Sequence, residues 1–198
     1  MKLVLATQNP KKLKEMNEIL SHLGVEVVSE AELGVRIEVE ETGDTFTDNA
    51  RLKATAVMQA TGLPAVADDS GLCVDALNGG PGVYSARFGG EGLDDKGRYT
   101  LLLEMLRGQT DRAAHFHTSI VCAFPNGDEL VCEGECPGTI AFAPMGEGGF
   151  GYDPVFMPDG YDKSMAQLGT DFKNTISHRA RALAKFKEEL RIHNGTDK

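Results

Sequence analysis

The chain has 198 residues, 41% hydrophobic and 25% charged, and its 20 basic and 30 acidic side chains give a formal net charge of −10. That length and balance describe one soluble domain with room for a sizeable core. The acidic surplus disfavours duplex nucleic acid and anionic membranes as partners, since both demand a basic face, and no apolar run approaches the ~20 residues of a membrane span.

The apolar run at the start, Met1 to Thr7, is too short for a signal peptide, so a cytoplasmic protein is expected. Cys73, Cys122, Cys132 and Cys136 lack metal-ligand spacing and read as free thiols of a reducing compartment.

Lys2 to Ala6 reads as a strand. Asn9 is a suitable N-cap, Pro10 suits the first helical position and Gly24 the residue past the helix end. Between them Leu13, Met16, Leu20 and Leu23 recur at helical spacing. Val25 to Val28 reads as a second strand. A polar stretch from Glu38 to Asp44 leads into a helix of roughly fifteen residues, capped by Asp44 or Thr45 and ending near Gly62.

Leu63 to Ala67 reads as a buried strand that stops at Asp68-Asp69-Ser70-Gly71, with another strand from Leu72 to Leu77. A glycine-rich loop covers Asn78 to Gly92, and a helix is predicted from about Asp94 to Arg107. Phe116 to Phe124 and Glu129 to Cys132 flank Pro125-Asn126-Gly127-Asp128, a hairpin signal because Asn-Gly accommodates positive φ. Gly146 to Asp153 is a loop, and a last helix runs from about Asn174 to Ile192. No repeat or linker interrupts the chain, so residues 1–198 are expected to form a single α/β domain around a mixed sheet.

Five constellations carry chemistry. Two adjacent acids at a strand end, Asp68 and Asp69, need positive compensation and point to a cation such as Mg²⁺ beside a phosphate, or else to a polar turn. Glu40 and Glu41 are further acids that a sheet can bring to the same end, where one or two carboxylates suffice for Mg²⁺ and the rest can act on water. Thr7-Gln8-Asn9-Pro10-Lys11-Lys12 opens a helix, a natural phosphate site although neither a Walker A loop nor a dinucleotide fingerprint is present. Phe150-Gly151-Tyr152-Asp153 sets aromatic faces beside a carboxylate, and Lys173 with Ser177-His178-Arg179 crowds donors at a helix start, where acids are usual.

In this order the motifs closely resemble the inosine triphosphate pyrophosphatase family, also called XTP/dITP diphosphatases. The resemblance spans nearly the whole chain. It rests on Thr7-x-Asn9 with Lys12, Glu40-Glu41-Thr42-Gly43, Ala67 through Arg87, Phe150 to Asp153, and Lys173 with Ser177-His178-Arg179. It implies an elongated α/β fold with a central mixed sheet flanked by helices, two lobes enclosing a nucleotide cleft, and a homodimer. The implied reaction is Mg²⁺-dependent hydrolysis of non-canonical purine nucleoside triphosphates (ITP, dITP, XTP) to the monophosphate and pyrophosphate. Such a reaction keeps deaminated purines out of DNA and RNA.

Carried over motif by motif, Thr7, Gln8, Asn9, Pro10, Lys11, Lys12 and Ser70 would hold phosphates with help from Lys53. Glu40 and Asp69 would bind Mg²⁺, with Glu41 and Asp68 as near neighbours and Asp69 as proton acceptor. Phe150, Gly151, Tyr152, Asp153, Lys173, His178 and Arg179 would form the nucleoside pocket. Gln8 departs from the small or basic residue of many relatives, in a turn whose backbone matters more than its side chain. Two rivals stand beside this reading. One is a nucleotide-binding regulatory module without turnover; the other is a Maf-like pyrophosphatase of modified pyrimidine nucleotides.

Overall fold

Thr45 opens a helix by accepting a hydrogen bond from the Asp48 N–H, and Gly62 closes it in the left-handed conformation, φ 67°, donating back to the Met58 carbonyl. That helix, α2 (Phe46–Thr61), is one of a series in the computed structural model, which describes residues 1–20 and 25–195. Before it come β1 (Lys2–Leu5), α1 (Pro10–Leu20) and β2 (Glu26–Ser29). After it come β3 (Ala65–Val74), β4 (Gly80–Pro81), α3 (Asp95–Met105), β5 (Ala113–Ala123), β6 (Glu129–Ile140) and β7 (Phe156–Pro158), then α4 (Met165–Leu168), α5 (Thr170–Ile176) and α6 (His178–His193). The positions Leu23 and Gly24, expected to complete the first helix, lie outside the described residues.

The strand order is β2-β1-β3-β5-β6-β7, with β4 beside β3. β1 runs parallel to β2 and β3, whereas β4 and β7 run antiparallel to β3 and β6, so the sheet is mixed as expected. Asn126 and Gly127 make the β5–β6 turn with Gly127 at φ 92° and the Phe124 N–H donating to the Asp128 carbonyl.

The chain divides into two compact units. Unit 1 holds residues 1–69, 118–134 and 179–198; unit 2 holds residues 70–117 and 135–178. In unit 1, Leu3, Leu5, Val66, Ile120 and Cys122 pack with α1 and α6 through Met16, Leu20, Leu183 and Phe186. The alternate residues Val4, Ala65, Ala67 and Val121 pack with α2 through Ala50, Ala54 and Val57. In unit 2, Leu72, Val74, Ala114, Phe116, Cys136 and Ile140 pack with Leu102 of α3 and with Leu106 just past its end.

Three expectations are corrected. The strand expected to stop at Asp68 runs on through Val74, because both acids find cationic partners and the ladder has no need of a turn. The expected last helix is two, since Ser177 takes extended backbone (φ −65°, ψ 160°), closing α5 before α6 begins. β6 continues from Cys132 to Ile140, past Gly138, into which a side chain would not fit: a Cβ there would stand 2.2 Å from the Met157 carbonyl oxygen. All four cysteines are free thiols, and among the described residues no helix is long and apolar enough to cross a membrane.

Candidate active site

Neighbours on a strand point to opposite faces, and this rule separates the two acids of β3. Asp68 shares a face with Val66 and looks toward α1 and α6. Its Oδ2 accepts from Arg179 Nη2 at 2.9 Å and Nε at 3.2 Å, and lies 3.2 Å from Lys12 Nζ. Asp69 shares a face with Ala67 and looks toward α2. Asn49 Nδ2 donates to its Oδ2 at 3.2 Å and Lys53 Nζ to its Oδ1 at 3.4 Å. Lys53 also donates to Glu41 Oε1 at 2.7 Å and to the Asp68 carbonyl at 2.8 Å.

Both acids are buried, 1% and 6% exposed, and Thr118 Oγ1 fixes the Asp69 carbonyl from β5. Within unit 1, three acids (Asp68, Asp69, Glu41) thus meet three cations (Lys12, Lys53, Arg179). Burial raises the Asp69 pKa above the ordinary carboxylate value against the pull of Lys53 and Lys12, and Glu41 adds to the rise. Burial would lower Lys53, but Asp69, Asp68 and Glu41 together hold it above its ordinary value. For Lys12 burial wins, helped by Lys53 and Arg179, and its pKa falls despite Asp68 and Asp69.

At the start of α1, Asn9 Oδ1 accepts from the N–H groups of Lys11 and Lys12 at 3.0 and 3.4 Å, and Thr7 Oγ1 from the Asn9 N–H. No acid occupies the first turn, which leaves the positive helix end for an anion. Gln8 instead ties its side chain to the Ile37 carbonyl at 2.9 Å, so its side chain serves the loop. Asn9, Pro10 and Lys11 are exposed.

Glu40 is exposed and its carboxylate is not part of the cluster; the structure brings Glu41 to Asp69, through Lys53. Asn49, which sequence reasoning missed, is fully buried and also accepts from the Gly43 N–H at 2.8 Å, tying the acidic loop to Asp69. A buried asparagine beside Ala50 on an apolar helix face was the available signal. Gly43 belongs to the same arrangement, because a Cβ there would lie 2.8 Å from Asn49 Oδ1 and 2.6 Å from Asp48 Cβ.

Unit 2 carries a second polar group. Asp153, 2% exposed, accepts at Oδ2 from the Phe150 N–H at 2.9 Å and from Lys173 Nζ at 2.8 Å. Lys173 Nζ also stands 4.2 Å from the Phe150 ring centre. Gly149, at φ 75°, leaves room for this: its Cβ would fall 2.1 Å from Asp153 Oδ2. The Gly151 N–H is held by Asp95 at the start of α3. His178 is buried and stacked on Phe116, ring centres 4.9 Å apart. Ser70, half-buried, follows Asp69 on β3 and counts with unit 2.

Two of the residues expected in a nucleoside pocket have partners of their own. Tyr152 is a core residue whose hydroxyl donates to the Ser85 carbonyl at 2.8 Å, because the half-turn after Gly151 turns it inward. Arg179, 1% exposed, is committed to Asp68 in unit 1.

The sequence profile of the Ham1 family matches residues 3–189. The dITP/XTP pyrophosphatase of Desulforamulus reducens is 52% identical over 192 residues, 96% of each chain. The Bacillus subtilis protein of the same name is 47% identical over 189 residues, 94% of this chain and 96% of its own. Among solved structures, the Staphylococcus aureus Ham1 protein aligns with a TM-score of 0.89 at 40% identity, covering 98% of this chain and 100% of that one. The Mycobacterium abscessus nucleoside-triphosphatase / dITP/XTP pyrophosphatase aligns at 0.78 and 46% identity, covering 94% and 98%.

Proposed function

This chain belongs to the Ham1 family, and from that premise we propose that it hydrolyses deaminated purine nucleoside triphosphates, ITP, dITP and XTP, to the monophosphate and pyrophosphate. The observation that carries the reading is the cluster of three acids and three cations in unit 1, of which Asp68, Asp69 and Arg179 are buried and Glu41, Lys12 and Lys53 half-buried. Such a cluster is neutral as it stands, so it favours a polyanion arriving together with a dication over either alone.

The donors suit Mg²⁺: they are hard carboxylate oxygens, Asp69 with Glu41, and no thiol or imidazole stands among them. Bound there, Mg²⁺ would neutralise charge on the triphosphate and on the departing pyrophosphate. Lys12, Lys53 and the N–H groups at the start of α1 bind phosphate oxygens. A phosphate beside Lys12 restores the positive charge that burial disfavours.

The two β3 acids divide their work by environment. Asp68, clamped by Arg179 and Lys12, positions those cations. Asp69, held by Asn49 and Lys53 on the α2 side, takes the proton of the water that attacks the α-phosphorus. Arg179 holds Asp68 from α6.

Reading of the base is assigned to Phe150, Lys173 and His178, on the family resemblance. Phe150, half-buried, offers a ring face, and Lys173 and His178 offer donors. Donors pair with the 6-keto oxygen of hypoxanthine or xanthine and are left unsatisfied by the 6-amino group of adenine, a difference that can reach ~10⁴. In the cell this removes deaminated purines from the nucleotide pool, in the cytoplasm and as a homodimer, the mass of which light scattering measures.

Pyrophosphate release from ITP, dITP, XTP, ATP, dTTP and UTP, with and without Mg²⁺, tests the proposal. Turnover of the deaminated purines, lost in Asp69→Asn and in EDTA, is expected. Preference for dTTP or UTP would move the enzyme to the Maf-like class, and no turnover of any substrate would leave a binding module.

A further inference from the structure

The outer face of the unit 2 sheet carries a second cluster that the pyrophosphatase chemistry does not use. Along β5 the side chains alternate: Ala114 and Phe116 enter the core while His115 and His117 point the other way, both half-buried. Along β6 Cys136 enters the core and Glu135 lies outward. Seven residues back from Phe124 on β5 and seven on from Asp128 on β6, the paired ends of the turn, stand His117 and Glu135. Their side chains meet, Nδ1 to Oε1, at 3.1 Å. One ligand atom each from His115, His117 and Glu135 falls within 4.8 Å of the others.

We propose that His115, His117 and Glu135 form a binding site for a borderline divalent transition metal, Zn²⁺ by its donor set, separate from the acidic cluster of unit 1. Two imidazoles and one carboxylate are the three-ligand set of an open zinc site, whereas Mg²⁺ prefers oxygen alone. Donors ~2.0–2.1 Å from a tetrahedral zinc stand roughly 3.4 Å apart, so side-chain rotation of about an ångström closes the present spread without moving the strands. Glu135, with 59% of its side chain exposed, sits at the open edge, where water can complete the coordination. The bound ion would tie β5 to β6.

Isothermal titration of the tag-free, EDTA-treated full chain with Zn²⁺ alone, in Mg²⁺-free buffer, tests the site. The expected result is one ion per chain with a Kd of roughly 10 µM or tighter, weakened at least about tenfold in His115→Ala, His117→Ala and Glu135→Gln. Binding in Asp69→Asn is expected to match the wild type. Zinc in excess should raise the melting temperature of the wild type by several degrees and that of the His115→Ala/His117→Ala protein by none. Titration with Co²⁺ should give the visible absorption of a four-coordinate ion, lost in the same variants. Circular dichroism confirms that each variant is folded. The site is refuted if the wild type binds no zinc below millimolar concentration, if the histidine variants bind as the wild type does, or if Asp69→Asn removes the binding.

Discussion

Asp69 is a carboxylate placed where the neutral acid is favoured, which has a consequence for stability that can be separated from catalysis. Its folded pKa lies above the ordinary value because burial outweighs Lys53 and Lys12. A raised acid contributes stability below its unfolded pKa and loses it as pH rises through the folded one, so at pH 7 the charge is a burden on the fold. In metal-free protein at pH 7, Asp69→Asn should therefore raise the melting temperature by roughly 2–4 °C while turnover is lost. The gap should close as the calorimetry is moved toward acid, and an Asn variant that melts below the wild type at pH 7 would contradict this account. The pair of acids was plain in the sequence, but the difference between them was not. It depends on which helix each side of β3 faces, and on Asn49, whose buried amide is a long-range partner twenty residues from Asp69.

At the scale of elements, one arginine finishes two of them. Arg112, buried, donates from Nε to the Ile140 carbonyl at 2.6 Å, from Nη2 to the Ala141 carbonyl at 2.7 Å and from Nη1 to the Leu106 carbonyl just past α3 at 3.2 Å. Its guanidinium also lies 4.4 Å from the centre of the Phe142 ring. Arg112→Ala would take its donors from the Ile140 and Ala141 carbonyls, and should cost about 3 kcal/mol in urea unfolding. Arg112→Lys should recover little, because an ammonium cannot match the planar fork. The caps of α2 and the turn at Asn126-Gly127 were legible because they are local. Arg112 was not, since its partners are 28 and 29 residues away in β6 and just beyond. The run of β3 through four polar and small residues was likewise hidden, because local turn preference pointed the other way and distant cations decided the matter. For α4 the signal was present and unread: Ser164 and Gln167 form a capping box, Ser-x-x-Gln.

For the whole molecule, the thiols offer a measure of cooperativity. Burial pushes Cys122 up to about 12 and Cys132 and Cys73 up to about 11, so few thiolates exist at pH 8. Native protein should resist iodoacetamide, and label on all four cysteines only once unfolded. Cys122 and Cys132 belong to unit 1 and Cys73 to unit 2, and the chain crosses from one unit to the other four times. Because neither unit is a continuous stretch of sequence, labelling of Cys73 and Cys122 in rising urea should share one midpoint, followed by mass spectrometry of the peptides. Separate midpoints would show that the units open independently. The single domain expected from length alone could not reveal this division, since the crossings fall inside β3, β5, β6 and α6, where composition does not change.

The alternation of β3 also sets which changes of length the gene can absorb. Counting from the paired residues Ala65 and Val66, a single codon gained or lost before Asp68 would turn the strand over, offering one acid's place to the other and putting apolar residues among the cations. Two codons would restore the faces but shift the acids by a whole pleat, away from Arg179 and Asn49. The loop at Gly89 to Gly92, by contrast, is exposed and carries none of these contacts. Variation in length across descendants of this sequence should therefore collect in that loop and be absent between Pro64 and Asp69, even where individual residues are exchanged.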